Sequence, residues 1–190
     1  SYSLANAPHD DAFLQLHIRH VPGGLFTGQV FSILKMRDIL RFNGPHGGFY
    51  LREDSPKPMI LLAGGTGFAP IKAIVEHTIA EQCRRPMHIY WGAKARADLY
   101  QNSLPERWAA ENANITYIPV LSEPAADDRW SGRTGFVHQA AMADFPDLSG
   151  HQVYACGAPV MIDAARSDFV GICKLPEEEF FADAFSFSTT

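Results

Sequence analysis

The sequence predicts an α/β fold in which a doubly wound, five-stranded parallel sheet follows a smaller β region. Two patterns support this prediction. From residue 57 onward, short apolar runs alternate with amphipathic segments at the spacing of βαβ units. From residue 12 to residue 52, apolar and polar residues alternate, which is typical of strands with one buried face. We therefore expect one domain at residues 1–56 and a second at residues 57–190.

The β region is interpreted as strands around one short helix. Residues 13–21 predict a strand, because Leu14, Leu16 and Ile18 alternate with Gln15, His17 and Arg19. Residues 26–35 are compatible with a short helix, and residues 38–51 predict two short strands about a glycine-rich turn. Residues 53–58 hold two prolines and two carboxylates and are a candidate linker between the two domains.

The α/β region is predicted to contain five strands with helices between them. The apolar runs suited to buried parallel strands are residues 59–63, 87–91, 115–121, 152–156 and 179–185. The first helix carries an apolar stripe at helical spacing from Ile71 to Ile79, and Pro70 suits its first turn. Further helices are predicted within residues 106–113, 135–145 and 160–170.

A loop rich in glycine joins the first of these strands to the first helix. It consists of Gly64, Gly65, Thr66 and Gly67. Backbone N–H groups at such a junction attract a phosphate group. The spacing is neither GxGxxG nor GxxxxGK[ST], so a P-loop NTPase is disfavoured. From the loop alone, two interpretations stay open: a phosphate cradle, or a tight turn that needs glycine for its geometry.

Composition excludes several classes of function. The formal charge of −5 and the scattered basic residues argue against a nucleic-acid binder. No apolar segment approaches the roughly 20 residues of a membrane span, and no signal peptide is visible, so we expect no membrane association. The three cysteines form no CxxC pair, which predicts no metal site and no iron–sulfur ligation in this chain and fits a reducing cytoplasm.

Several motifs occur along the chain in one order. They are SYSLANAP, GPHGGFYLRED, LLAGGTGFAPIKA, HIYWGAKA, YACGAPVMIDAA and EEFFADAF. Together they resemble the ferredoxin–NADP reductase superfamily of flavin-dependent reductases, in particular the CDP-6-deoxy-glucoseen reductase type, with the NAD(P)H–flavin reductases as further relatives. The resemblance covers essentially all 190 residues. It implies a flavin-binding antiparallel β-barrel, of which residues 1–56 are the C-terminal part, and an NAD(P)-binding α/β domain.

The resemblance also implies an activity. Hydride would pass from NADH or NADPH to FAD, and electrons would go onward to an iron–sulfur centre or another acceptor protein. The family pattern at the flavin is Arg-x-Tyr-Ser, and Tyr2 and Ser3 match its last two places. We therefore expect that part of the native polypeptide lies upstream, with the rest of the barrel and any [2Fe-2S] domain.

On the flavin side, the resemblance implies stacking by Tyr2 and a hydrogen bond from Ser3 near the reactive flavin nitrogen. It places one strand along the ribityl and phosphate portion and a glycine-rich turn against the pyrophosphate. The implied contacts are His17, Ile18, Arg19, Gly24, Phe26 and Thr27. An ordinary solvated strand face remains the alternative for His17 and Arg19.

On the nicotinamide side, the resemblance implies that the glycine loop and two later strand ends hold the nucleotide. The implied contacts are Gly64, Gly65, Thr66, Gly67, Pro70, Gly92, Cys156, Gly157, Pro159 and Met161. Cys156 would lie near nicotinamide C4 as a polarizable contact that does not act as a nucleophile. A buried, inert cysteine is the alternative, as is a plain core role for Trp91.

The implied catalytic set is Ser3, Cys156, Asp183 and Phe185. Phe185 matches an aromatic residue beside the flavin, and Asp183 matches an acid linked to the flavin-site hydroxyl or to proton delivery. A solvent-facing aspartate at a sheet edge is the alternative for Asp183. Basic residues that reach an adenosine phosphate do not form a dense cluster, which favours NADH and leaves NADPH open.

Two rival functions are weighed against the electron-transfer reductase. A free-flavin reductase would release the flavin as a product, whereas a tight flavin argues against it. A nucleotide-binding or partner-docking module without catalysis would bind nucleotide and show no turnover with any acceptor.

Overall fold

A six-stranded parallel sheet organises the C-terminal two thirds of the chain in the computed structural model, which describes residues 1–185. The strands are β1 (Met59–Gly64), β2 (Met87–Ala93), β3 (Ile115–Leu121), β4 (Arg133–Thr134), β5 (Gln152–Gly157) and β6 (Phe180–Ala184). The helices are α1 (Leu25–Ser32), α2 (Phe68–Ala80), α3 (Ser103–Glu111), α4 (Val137–Asp144) and α5 (Pro159–Gly171).

The strand order is β4-β3-β2-β1-β5-β6, and every neighbouring pair is parallel. The sequence prediction of a doubly wound parallel sheet is confirmed, and its five strands are all present. The predicted count is wrong by one, because the two-residue strand β4 is too short to show any periodicity. The order reverses between β1 and β5, so the crevice for a ligand lies at the carboxyl ends of these two strands.

The core consists of two apolar layers, one on each face of the sheet. Ile60 and Leu62 of β1 pack with α4 and α5, whereas Leu61 and Ala63 pack with α2 and α3. Because successive side chains of a strand point to opposite faces, a continuous apolar run is what a strand covered on both faces requires. All these side chains are fully buried.

Residues 1–56 contain less regular structure than the sequence predicts. The predicted short helix is present as α1. The predicted strands at residues 13–21 and 38–51 are wrong: within residues 1–56 the one β pairing is an isolated antiparallel bridge between Leu4 and Leu16. A strand forms only where a neighbour accepts and donates its backbone hydrogen bonds, and these segments face none in the described chain.

The linker between the two regions is fixed at the amino ends of β1 and β5. The buried Arg85 guanidinium donates to the carbonyls of Arg52 (3.0 Å) and Lys57 (2.9 Å) and to the side-chain oxygen of Gln152 (2.8 Å). Glu179 accepts from Lys57 Nζ at 2.6 Å and from Gln152 Nε2 at 2.7 Å. One buried arginine therefore ties residues 52–57 to the sheet.

Within residues 1–185, no helix combines the length and the apolar character needed to cross a bilayer.

Candidate nucleotide and flavin site

Two glycines face each other where the strand order reverses. Gly64 ends β1 and Gly157 ends β5, and a Cβ on Gly157 would lie 3.1 Å from the Cα of Gly64. The thioether of Met161 covers both, since a Cβ on Gly64 would meet its sulfur at 2.6 Å and a Cβ on Gly157 its methyl at 2.9 Å. Side chains at either position would displace Met161 and fill the crevice.

The glycine loop turns directly from β1 into α2. Residues 65–67 form a 3₁₀ turn, and Gly65 has a φ of +53°, which favours glycine. A Cβ on Gly67 would lie 2.0 Å from the carbonyl oxygen of Cys156, so the loop backbone packs against β5. No side chain of the described residues caps the start of this turn or of α2. The Phe68 N–H that begins α2 donates to the Gly65 carbonyl, so the N–H groups of the glycine loop before it are the ones that fit a nucleotide diphosphate beside Thr66.

Trp91 holds this loop in place through a hydrogen bond and a stacking contact. Its indole nitrogen donates to the Gly65 carbonyl at 2.9 Å, and its ring stacks on Phe68 with centroids 3.9 Å apart. Trp91 is fully buried, so it lies in the core and fixes the loop at the same time. Gly92 follows it, and a Cβ there would meet Val137 at 2.8 Å.

Ser3, Cys156 and Asp183 come together at the carboxyl end of the sheet. The Ser3 hydroxyl donates to Asp183 Oδ2 at 2.8 Å, and Asp183 is the register partner of Cys156 across β5 and β6. Cys156 is fully buried. Burial and the neighbouring Asp183 carboxylate raise the pKa of the Cys156 thiol far above its usual range. The thiol is therefore neutral and suited to packing, since nucleophilic attack requires the thiolate.

The residues around the crevice continue beyond these strands. Phe185 follows β6, and its N–H donates to the Gly157 carbonyl at 2.8 Å. Pro159 begins α5 and is exposed, whereas Pro70 lies buried in the first turn of α2. The structure thus brings the predicted residues of β1, β5 and β6 to one crevice.

Of the predicted flavin contacts near α1, Tyr2 and Phe26 pack together, whereas Thr27 bonds within the turn. The Tyr2 ring lies 5.2 Å from the Phe26 ring, centroid to centroid. The Thr27 hydroxyl bonds with the N–H and the carbonyl of Val21, both at 3.2 Å, and is buried. The Thr27 side chain is therefore used to close the turn around Gly24. The N–H groups of the first turn of α1, which no side chain of the described residues caps, are what remains for a phosphate.

His17 points toward the α/β region. Its Nδ1 lies 2.7 Å from the Tyr100 hydroxyl, and its Nε2 is buried with no hydrogen-bond partner among residues 1–185. Burial and the nearby Lys72 cation lower the pKa of His17, which keeps the ring neutral near pH 7. Ile18 is half-buried, whereas Arg19 is exposed, and both interpretations of Arg19 stay open.

Three basic side chains that follow β2 or begin β4 already have partners in the protein. Lys94 pairs with Glu123 at 3.2 Å, and Arg96 donates to the Asp128 carbonyl at 3.1 Å. Arg133 pairs with Asp144 and donates to the Ala140 carbonyl at 3.0 Å.

Tyr100 and Lys72 are two site residues that the sequence analysis missed. Tyr100 packs edge-on against Trp91 and bonds with His17. Lys72 is buried beside the N-terminal segment. A tyrosine in an irregular segment and a lysine four residues before a glutamate are ordinary surface patterns. The contacts of Tyr100 and the burial of Lys72 are therefore visible only in the structure.

The fold and this crevice define a class of protein: an oxidoreductase module with a nicotinamide-nucleotide domain and a flavin-binding segment. Family models agree with this assignment. The oxidoreductase NAD-binding domain matches residues 61–167, and the oxidoreductase FAD-binding domain matches residues 1–50. The chain belongs to the ferredoxin–NADP reductase superfamily.

Three similar proteins illustrate the range of this family. The chain is 48% identical over 185 residues to the CDP-6-deoxy-L-threo-D-glycero-4-hexulose-3-dehydrase reductase of Yersinia pestis, covering 97% of this chain and 55% of that protein. It is 34% identical to an NAD(P)H-flavin reductase of Aliivibrio fischeri, covering 98% and 80%. The crystal structure of the Amycolatopsis cytochrome P450 reductase GcoB superposes with a TM-score of 0.89 at 34% identity, covering 97% and 55%. The chain thus spans about half the length of the first of these relatives.

Proposed function

We propose that the protein containing this chain is an NAD(P)H-dependent flavoprotein reductase. Hydride passes from the nicotinamide to FAD, and electrons leave for an iron–sulfur centre or another acceptor. The observation that carries the proposal is the Ser3–Asp183 hydrogen bond beside Cys156, at the sheet end where the glycine loop begins. A hydroxyl, a carboxylate and a neutral thiol converge there: Ser3 lies in the matched FAD-binding domain, Cys156 in the matched NAD-binding domain, and Asp183 follows them on β6.

The two cofactors have complementary places. The N–H groups of the glycine loop, before Phe68 begins α2, would hold the diphosphate of the nicotinamide nucleotide. The first turn of α1 and the ring of Tyr2 hold FAD. When bound, FAD accepts two electrons together as hydride and releases them one at a time.

Ser3 and Asp183 control a proton at the flavin. In the structure the Ser3 Oγ–H donates to Asp183 Oδ2. The same hydroxyl can turn to donate to a ring nitrogen of the flavin or to accept from it. When the hydroxyl accepts from the flavin, its own proton stays on the bond to Asp183, which orients it; when it donates to the flavin, the bond to Asp183 is broken.

Cys156 and Met161 shape the place of the nicotinamide. The Met161 thioether covers Gly64 and Gly157, and the neighbouring Cys156 is fully buried, with a neutral thiol that serves as a polarizable contact. Their packing excludes water, which favours close approach of the two rings. Phe185, held by Gly157, bounds the crevice on the side of β6.

NADH is the donor that the charges favour. The 2′-phosphate of NADPH needs a free basic side chain, and Lys94, Arg96 and Arg133 already bond within the protein. The proposal also covers the electron acceptor, which we place among the proteins of the cytoplasm.

Anaerobic stopped-flow absorbance tests the proposal. The flavin-loaded full-length protein is mixed with NADH and, separately, with NADPH, and the visible flavin absorbance is followed. We expect rapid bleaching, faster with NADH. Bound FAD that neither nucleotide bleaches would overturn the proposal in favour of a binding module. FAD that separates from the protein on gel filtration after reduction would favour the free-flavin reductase.

A further inference from the structure

Lys72 is buried in a place where lysine is rarely found. It lies on the second turn of α2 and is only 7% exposed. Its Nζ donates to the Ala5 carbonyl at 3.0 Å and to Glu76 Oε2 at 2.6 Å. Burying an ammonium group is unfavourable unless it is paired and hydrogen-bonded, and Glu76 supplies the pairing. The bond to Ala5 is the feature that a surface ion pair does not explain.

Ala5 lies two residues after Ser3, in the segment with the proposed flavin contacts. Ala5 and Ala7 are buried, and the Ala5 N–H donates to the Gln15 carbonyl at 2.8 Å. The segment therefore meets the α/β region through two side-chain bonds. One is Ser3 to Asp183 of β6, and the other is Lys72 of α2 to Ala5.

The helix that carries Lys72 is the helix that begins at the glycine loop. Lys72 follows Gly67 by five residues, so its bond to Ala5 joins the phosphate loop to the flavin segment through one rigid helix. The Lys72 cation also lies close enough to His17 to lower the pKa of that ring. Lys72 is therefore near both segments that the Leu4–Leu16 bridge joins.

We propose that Lys72 is a positioning residue for hydride transfer. It fixes the Tyr2–Ser3 segment against α2 and thereby sets the approach of the nicotinamide to the flavin. This inference rests on the proposed function and deepens it. Lys72 acts through Ala5 and touches neither cofactor. Its loss should therefore weaken positioning more than nucleotide binding.

The test compares Lys72→Met and Lys72→Arg in the flavin-loaded full-length protein. Lys174→Met is the matched control, because Lys174 is an exposed lysine that also pairs with a carboxylate, Asp147. Two quantities are measured: amide hydrogen exchange of residues 2–7, and the rate constant of flavin bleaching at saturating NADH beside the NADH dissociation constant. A rate constant per bound flavin does not depend on the fraction of protein that is folded.

We expect Lys72→Met to speed exchange at residues 4–7 at least 10-fold and to slow bleaching at least 10-fold. The NADH dissociation constant should change less than 3-fold. Lys72→Arg should recover most of both effects, and Lys174→Met should change neither. Unchanged exchange and bleaching in Lys72→Met, or equal losses in Lys174→Met, would overturn the inference.

A milder variant covers the case in which Lys72→Met does not fold. Glu76→Gln leaves Lys72 in place and removes its charge partner, so exchange at residues 4–7 should rise by a smaller factor, about 2-fold to 5-fold. No rise would count against the inference. If NADH does not bleach even the unmodified protein, the proposed function fails, and the exchange data still show whether Lys72 holds the segment.

Discussion

The hydroxyl of Ser3 donates to the carboxylate of Asp183 at 2.8 Å across 180 residues of sequence. This bond joins the first residues of the chain to the edge strand β6. A hydrogen bond to a charged group contributes about 1.5–3 kcal/mol. The pair is therefore strong enough to fix where the flavin segment meets the sheet.

Ser3→Ala should slow flavin bleaching by NADH about 10-fold to 100-fold, because the hydroxyl that manages the flavin proton is lost. The measurement is the stopped-flow rate constant at saturating NADH. Ser149→Ala is a matched control, since Ser149 also donates to an aspartate, Asp147, at 2.6 Å on the surface. Equal rates for Ser3→Ala and the unmodified protein would remove Ser3 from the mechanism.

Gly67→Ala should destabilise the protein severely. The new Cβ would lie 2.0 Å from the Cys156 carbonyl oxygen. The Cβ is fixed to the loop backbone and the oxygen is itself backbone, so the clash is relieved only if β5 or α2 moves. Overpacking of this kind costs about 1–3 kcal/mol or more. Gly28→Ala, in the middle of α1 with nothing within 4 Å of its Cβ, should instead be neutral or stabilising by up to about 1 kcal/mol. Urea unfolding of both variants measures these changes in stability. A Gly67→Ala midpoint equal to that of the unmodified protein would contradict the close approach of Gly67 to the Cys156 carbonyl.

Cys156 should resist alkylation in the folded protein. Its thiol is fully buried, and burial with the Asp183 carboxylate raises its pKa, so little thiolate exists at pH 8. Iodoacetamide labelling followed by mass spectrometry should modify the half-buried Cys83 well before Cys156. Both should react once the protein is unfolded. Early labelling of Cys156 would mean that the thiol is open to solvent and reactive.

The α/β region could be predicted closely from sequence because its signals are local. Each apolar run of β1, β2, β3 and β5 is covered on both faces and needs no polar alternation. The strand β4 shows the limit: two residues define no period, and their pairing with Val120 and Leu121 depends on the tertiary structure.

Residues 13–21 show a different limit. Their alternation is real, but a strand also needs a neighbouring strand, and apolar side chains such as Phe13 remain 76% exposed. At the site, family resemblance placed Ser3 and Asp183 together and the structure brings them within hydrogen-bond distance, while their roles stay predictions. The sequence does not reveal the role of Lys72, because a lysine four residues before a glutamate is the usual pattern of an exposed helix face.

The protein should lose stability as the pH falls below 6.5. Burial lowers the pKa of His17, His88, His138 and His151 below the ordinary value of 6.5. Between that value and the lower folded pKa values the unfolded chain binds more protons, so the free energy of unfolding decreases with decreasing pH. Urea unfolding at pH 7.5, 6.5 and 5.5 measures this above the range where carboxylates titrate.

His151→Gln gives the matching variant for this pH dependence. It removes one histidine that the folded state holds neutral, so the decrease between pH 6.5 and pH 5.5 should be smaller than in the unmodified protein. A free energy of unfolding that stays constant or rises as the pH falls from 6.5 to 5.5 would contradict the burial of these rings.

Arg85→Met should loosen the linker and destabilise the fold. The guanidinium bonds to the Arg52 and Lys57 carbonyls and to the Gln152 side-chain oxygen together. Without it the Lys57 carbonyl loses this donor, whereas the Arg52 carbonyl keeps the Ser55 N–H at 3.3 Å and Gln152 keeps the Tyr154 hydroxyl at 3.0 Å. An unsatisfied group costs about 1–3 kcal/mol, so we expect a loss of this size in the free energy of unfolding. Amide exchange at residues 52–58 should rise together with this loss.

The neighbouring Arg84 is exposed, so Arg84→Met removes the same charge and should change the stability by less than about 0.5 kcal/mol. Because Arg85 lies at the amino ends of the strands, opposite the crevice, NADH binding per folded molecule should be the same in both variants. A weaker affinity for NADH in Arg85→Met alone would show that the linker also sets the nucleotide site.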